Sequence, residues 1–182
     1  GTVVVCAAGN SSNGKSGYPA GYPEAISVSA TDFNEDLTWY TNYGPDIDIA
    51  APGGDTRSDK NGDGHPDGVL QNTINMGDPT RQGYQWYQGT SMACPHVAGV
   101  AALVEGLGVT DSTAVTGLLK STARSKGPEG RQKGYGAGIC DAQRATFKAG
   151  YMYGAWRLLL ASLFGLIPIV TILRRGYILG IP

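Results

Sequence analysis

The stretch Gly89–Leu103, "GTSMACPHVAGVAAL", decides how the rest of the chain is read. A serine sits among small residues just ahead of an apolar run whose first turn carries Pro95. Proline is accommodated at a helix start, where its missing N–H has no intrahelical partner to lose. Val97, Val100, Ala101 and Val104 recur at helical spacing, with Ala98, Gly99 and Ala102 beside them, which predicts a helix buried nearly all round. Gly106 and Gly108 end it. Ser91 therefore stands at a helix N-terminus. Its hydroxyl is a weak nucleophile without an adjacent base, and the chain has only two histidines, His65 and His96.

Outward from this helix the pattern alternates strands and helices. "TVVVCAAGN" near the start is an apolar, β-branched run that suits a strand buried on both faces. Ala25–Phe33 and Asp46–Gly54 predict two further strands, and residues 55–88, polar and glycine-rich, are expected as a long insertion loop. Asp111 and Asp141 stand as N-caps, the first for a helix running to about Thr122. The predicted class is α/β, a three-layer sandwich with a mostly parallel sheet.

Composition narrows the function. A net charge of -1 gives no basic face for nucleic acid. Three cysteines without a CxxC spacing exclude a metal ribbon, and Cys6 and Cys94 read as buried thiols, with one disulfide as the alternative. The chain begins at Gly1 with a strand already under way and no signal peptide ahead of it, and is expected to be a piece of something longer.

Residues 149–182 differ in kind. Leu158–Leu173 carries no charge, slightly short of the roughly 20 residues that span a bilayer, and Ala155 and Trp156 extend it. Arg174 and Arg175 suit a cytoplasmic flank, while Tyr151, Tyr153 and Trp156 suit an interfacial belt on the other side. A membrane helix is expected here, against the alternative of an apolar hairpin packed on the domain or on sequence outside this chain.

Asn10 ends the first strand, where its amide can face a cleft. An oxyanion needs donors fixed in advance, and an Asn amide with a backbone N–H at a helix start supplies two. Asn10 and Ser91 together are a stronger signal than either alone. "VVVCAAGN", "GYPAGYPEAISVSA", "YTNYGPDIDIAAPGG" and "GTSMACPHVAGVAAL", in unbroken order, resemble the subtilisin-like serine peptidases, and "YGAGICDAQRA" resembles the close of their catalytic domain. The likeness assigns residues 1–148 to the C-terminal part of such a domain.

The resemblance implies Ser91 as nucleophile and Asn10, with the Ser91 N–H, as oxyanion donors. It implies Ala8 and Gly9 as a wall of the primary specificity pocket, Gly17 as its floor, and Thr90 as the residue shaping the turn. In this family the order along the chain is Asp, His, Ser. Both partners of Ser91 then lie upstream of Gly1, in a missing N-terminal half. His96 lies about 140° around the helix from Ser91 and His65 sits in the polar loop, so neither serves as base. The fragment alone is expected to be inert and the parent chain an endopeptidase acting on protein or peptide. A pseudoenzyme that binds peptides without cutting them is the rival. An α/β-hydrolase is discounted, because "GTSMA" lacks the G-x-S-x-G elbow.

"DKNGDGHPDG" places Asp59, Asn61, Asp63 and Asp67 at positions 1, 3, 5 and 9 of an EF-hand-like loop, with Gly64 at position 6. This predicts a structural Ca²⁺, weakened because position 12 is Leu70 rather than Glu. A metal-free Asx- and Gly-rich turn is the alternative. No organic cofactor is expected, and the location is extracellular or at the cell surface.

Overall fold

A computed structural model describes residues 1–75, 77–126 and 132–174. Three strands, β1 (Val4–Ala7), β2 (Ala25–Thr31) and β3 (Ile49–Pro52), form a parallel sheet in that order, with Val5 opposite Ile26 and Ser29 opposite Ala50. Strand β2 is central and wholly buried. Side chains alternate across a strand, so Ile26, Val28 and Ala30 share one face and Ser27, Ser29 and Thr31 the other. The apolar face meets α1 (Thr90–Gly106), α2 (Ser112–Thr122) and α4 (Ala142–Ala149). Val97, Val104, Val115 and Leu119 fill the space between them. The hydroxyl-bearing face is covered by loops: Ser27 Oγ lies 2.7 Å from Ser16 Oγ, and Ser29 donates to the Gly134 carbonyl beside the short α3 (Gln132–Tyr135).

Both expected N-caps form, Asp111 accepting from the Ala114 N–H and Asp141 from the Arg144 N–H. All three cysteines are free thiols. Burial raises the Cys94 pKa and pushes Cys140 up to about 11, so both stay protonated at neutral pH. The Cys94 thiol donates to the Val5 carbonyl, a packing role.

Four expectations need correction. Strand β2 stops at Thr31, not Phe33, because the Asp32 carboxylate accepts from the Asn34 and Asp36 N–H groups and closes a turn. Strand β3 covers only Ile49–Pro52 of the expected 46–54. Helix α1 is buried on one side only: Ala98, Gly99 and Ala102 are exposed and Leu103 is 56% exposed. Residues 55–88 are not all loop. Strands β4 (Val69–Asn75) and β5 (Asp78–Tyr87) pair antiparallel into a ribbon, Leu70 opposite Trp86 and Asn72 opposite Tyr84. The ribbon exposes much of both faces, so its strands keep polar residues and lack the apolar contrast that marks a core strand. Its β-branched and aromatic content was the available signal.

A final helix, α5 (Ala155–Arg174), follows a π-helical turn at Gly150–Gly154. One helix in the described residues, Ala142–Ile172, is long and apolar enough to cross a membrane. Arg175, and the side chains of Trp156 and Arg174, lie outside what the structure describes.

Glu35 holds a left-handed backbone (φ 64°), and its carboxylate takes two hydrogen bonds from the Arg124 guanidinium at 2.5 and 2.6 Å. Those bonds hold its carboxyl below the ordinary value of 4.5, outweighing an opposing push from partial burial. A lowered carboxyl pKa stabilises the fold above the unfolded value and loses that contribution as pH falls through the folded one. Glu35→Gln should therefore cost stability at pH 7, by under about 1 kcal/mol because the side chain is 39% exposed. In urea titrations the gap should close as pH drops below 4.5.

Candidate active site

The C-terminal ends of β1 and β3 converge on the start of α1. Gly89, the residue before the helix, adopts φ 149°, and its N–H donates to the Gly53 carbonyl just past β3 (3.0 Å). Tyr40 fixes that corner through its hydroxyl, which donates to the Gly54 carbonyl at 2.7 Å. On the other side Thr90, 1% exposed, ties β1 to α1. Its Oγ1 accepts from the Gly9 N–H (3.2 Å) and donates to Asn10 Oδ1 (2.8 Å), while the Thr90 N–H donates to the same oxygen (2.9 Å).

These bonds orient the Asn10 amide. A backbone N–H can only donate, so the atom facing Thr90 N must be the oxygen, and Nδ2 is turned the other way. An ideal Cβ on Gly89 would lie 3.3 Å from Asn10 Nδ2 and 3.6 Å from the Ser91 nitrogen. Two donors thus flank one small space that only a glycine leaves open. The Ser91 N–H belongs to the first helical turn, whose N–H groups have no intrahelical acceptor. Ser91 itself is exposed. The structure therefore brings Ser91, Thr90 and Asn10 together.

The expected pocket residues are also neighbours. Ala8 is fully buried, and its carbonyl accepts from the Gly17 N–H at 2.7 Å. Gly9 has φ 111°, and a Cβ there would sit 2.6 Å from Asn42 Nδ2, so glycine is required twice over. A Cβ on Gly17 would meet only the Ala8 carbonyl at 3.5 Å, an ordinary contact. Asn42 was not anticipated. Buried at 5% exposure, it donates to the Ala8 carbonyl and accepts from the Ser11 and Asn13 N–H groups, holding the whole 8–13 segment in shape. A polar residue inside "YTNYG" was its only trace in sequence.

Neither histidine reaches Ser91. His96 Nδ1 donates to the Met92 carbonyl within its own helix (2.8 Å), and the His65 ring stacks on Trp86 at 4.9 Å.

The acidic loop is bonded within itself. Asp59 accepts from the N–H groups of Gly62, Asp63 and Gly64, Asp63 from the His65 N–H and the Asn61 amide, and Asn61 Oδ1 from the Asp63 N–H. Asn61, Asp63 and Asp67 line one open pocket of about 280 Å³, together with Thr31 and Asp32. Asp67 Oδ1 is buried there without a hydrogen-bond partner. Among the described residues no group of three His, Cys, Asp or Glu side chains is arranged to hold a metal.

The parallel sheet thus brings the Asn10 amide, just past β1, to the tip of the helix that carries Ser91. The chain belongs to the Subtilase family, whose model matches residues 1–138. It is 42% identical over 154 residues to an extracellular protease of Xanthomonas campestris, covering 82% of this chain and 24% of that protein. It is 37% identical to subtilisin Savinase of Lederbergia lenta, covering 80% of this chain and 46% of that protein. Among solved structures it resembles a protease from Pseudoalteromonas arctica, with a TM-score of 0.71 and 38% identity over 82% of this chain and 43% of the other. The chain thus spans less than half the length of each of these.

Thr90→Val removes the hydroxyl that bridges Gly9 and Asn10 while keeping the shape. It should destabilise the fold by about 1 kcal/mol, read by chemical denaturation, because the part-buried Gly9 N–H loses its acceptor.

Proposed function

We propose that this chain is the C-terminal part of a serine endopeptidase domain, residues 1–148, followed by a membrane-spanning helix and short tail in 149–182. Ser91 Oγ attacks the scissile carbonyl carbon and passes its proton to a histidine supplied by the upstream half, which an upstream aspartate orients. The negative oxygen is held by Asn10 Nδ2 and the Ser91 N–H. Collapse of the intermediate expels the amine with a proton from that histidine, and water then releases the acyl group. Ala8, Gly9 and Gly17 receive the side chain preceding the cut bond. The upstream half also has a surface to cover: the outer side of α1, with Ala98, Gly99, Ala102 and Leu103 exposed, is apolar. The substrate is protein or peptide, and the location extracellular or cell-surface, in keeping with the extracellular protease of Xanthomonas that this chain resembles.

The observation that carries this reading is the orientation of Asn10, whose oxygen is bound by Thr90 and whose nitrogen is left to donate beside Ser91. Asn10→Asp keeps the acceptor and removes the donor. In the parent enzyme it should lower kcat by about 10²–10³-fold with the fold intact, the loss known for subtilisin. The 182-residue chain alone, without a base, should leave Ser91 unlabelled by a fluorophosphonate; labelling there would overturn the assignment of the base to the upstream half.

Calcium belongs to the same proposal. Asn61, Asp63 and Asp67 offer hard oxygen ligands around one pocket, Asp67 Oδ1 is unpartnered, and Asp59 organises the loop through its backbone. A bound Ca²⁺ would supply charge neutralisation and hold the loop against β4. Calorimetric titration should show Ca²⁺ uptake that Asp67→Asn abolishes; unchanged uptake in that variant would remove the site.

A further inference from the structure

We propose that the domain is mounted on the bilayer by one unbroken helix, and that its substrates are therefore polypeptide segments close to the membrane surface. This rests on the peptidase and membrane-helix readings above. Helix α4, the π-helical turn and α5 follow one another from Ala142 to Arg174 with no non-helical residue between them. The near end is fixed in the domain. Ala145 and Ala149 are buried in the core with α1 and α2, Asp141 caps the first turn, and Lys148 Nζ donates to Ser121 on α2. Past Ala149 burial stops: Tyr151 is 74% exposed, and Leu158 through Ile172 present their apolar side chains outward throughout.

That exterior names its surroundings. The uncharged run Leu158–Leu173, at about 1.5 Å per residue, covers about 24 Å, most of the roughly 30 Å of a bilayer's hydrocarbon core, with Arg157 and Arg174 at its two ends. Tyr151 and Tyr153 fall at headgroup level, where tyrosine is favoured.

The composition of the joint makes its helicity informative. "GYMYG", Gly150–Gly154, has the glycine punctuation of a swivel, since each glycine weakens a helix by about 1 kcal/mol. It is instead wound as a wide turn that passes the helix on. From Ala149, the last buried residue among those described, to Leu158, the first of the uncharged run, the rise is about 14 Å. A compact domain of this size has a radius of gyration of about 15 Å. With no slack between core and span, its cleft stays on the order of 50 Å or less from the hydrocarbon. Substrates within that reach are juxtamembrane segments and chains lying on the surface.

Two measurements test this. The 182-residue chain is mixed with phosphatidylcholine–phosphatidylglycerol vesicles, floated, and its amide exchange followed across residues 146–157. Co-flotation with exchange at least 100-fold slower than in an unstructured peptide supports the rigid mount. Co-flotation with free exchange at 150–154 overturns the mount while leaving the anchor standing. Failure to float overturns the anchor, and the mount with it. The parent enzyme in the same vesicles is then given lipid-anchored peptides with the cleavable segment about 2 or about 15 nm from the bilayer. Preference of at least 10-fold for the near peptide, abolished by six Gly/Ser residues inserted after Tyr153, supports the substrate class. Equal cleavage overturns it, and cleavage of neither overturns the peptidase reading instead.

Discussion

One hydroxyl joins the two halves of the site. Thr90 Oγ1 takes the Gly9 N–H from the end of β1 and gives its own proton to Asn10, while its backbone N–H donates to the same amide oxygen. The helix start has no side-chain cap of its own, because Gly89 occupies that position. Asn10, eighty positions away in sequence, supplies the missing acceptor. Capping and catalysis-type geometry thus share one side chain: the oxygen of the amide stabilises the helix terminus, and the nitrogen is aimed by that bond.

The surrounding architecture serves to hold that junction still. Gly53 anchors Gly89 from the β3 side, and Asn42 staples the strand from which Asn10 projects. Both use backbone groups at positions where a Cβ would collide: 2.5 Å from Ala30 Cβ for Gly53, and 2.6 Å from the Asn42 amide for Gly9. Close approach of main chains, rather than bulk packing, sets the position of the polar groups. The apolar work is done one layer below, where β2 and α1 meet through Val28, Ala93 and Val97.

Much of this was legible in the residues. The parallel sheet, the α1 boundaries and both aspartate caps follow from apolar periodicity and cap chemistry, and Asn10 and Ser91, read together in the sequence, are neighbours in space. What failed did so for physical reasons. The β4–β5 ribbon has no buried face to imprint an apolar alternation, so it reads as loop. Helix α1 has the composition of a fully buried helix, yet Ala98, Gly99, Ala102 and Leu103 are exposed, because small apolar residues suit a close-packed face and an open one alike. Asn42 acts through three backbone contacts to segments far off in sequence, and no local pattern encodes such a staple.

The ribbon is closed at its base, where Asp55 bridges Asp67 and Gln88 receives both the N–H and hydroxyl of Thr56. Its far end lies between Asn75 and Asp78, where β4 ends and β5 begins. Doubling the length of such a closed segment costs only about 0.6 kcal/mol in closure entropy. Lengthening or shortening the ribbon between its strands therefore costs little in closure, while the bonds at its base hold the chain that leads into Gly89 and the serine's turn.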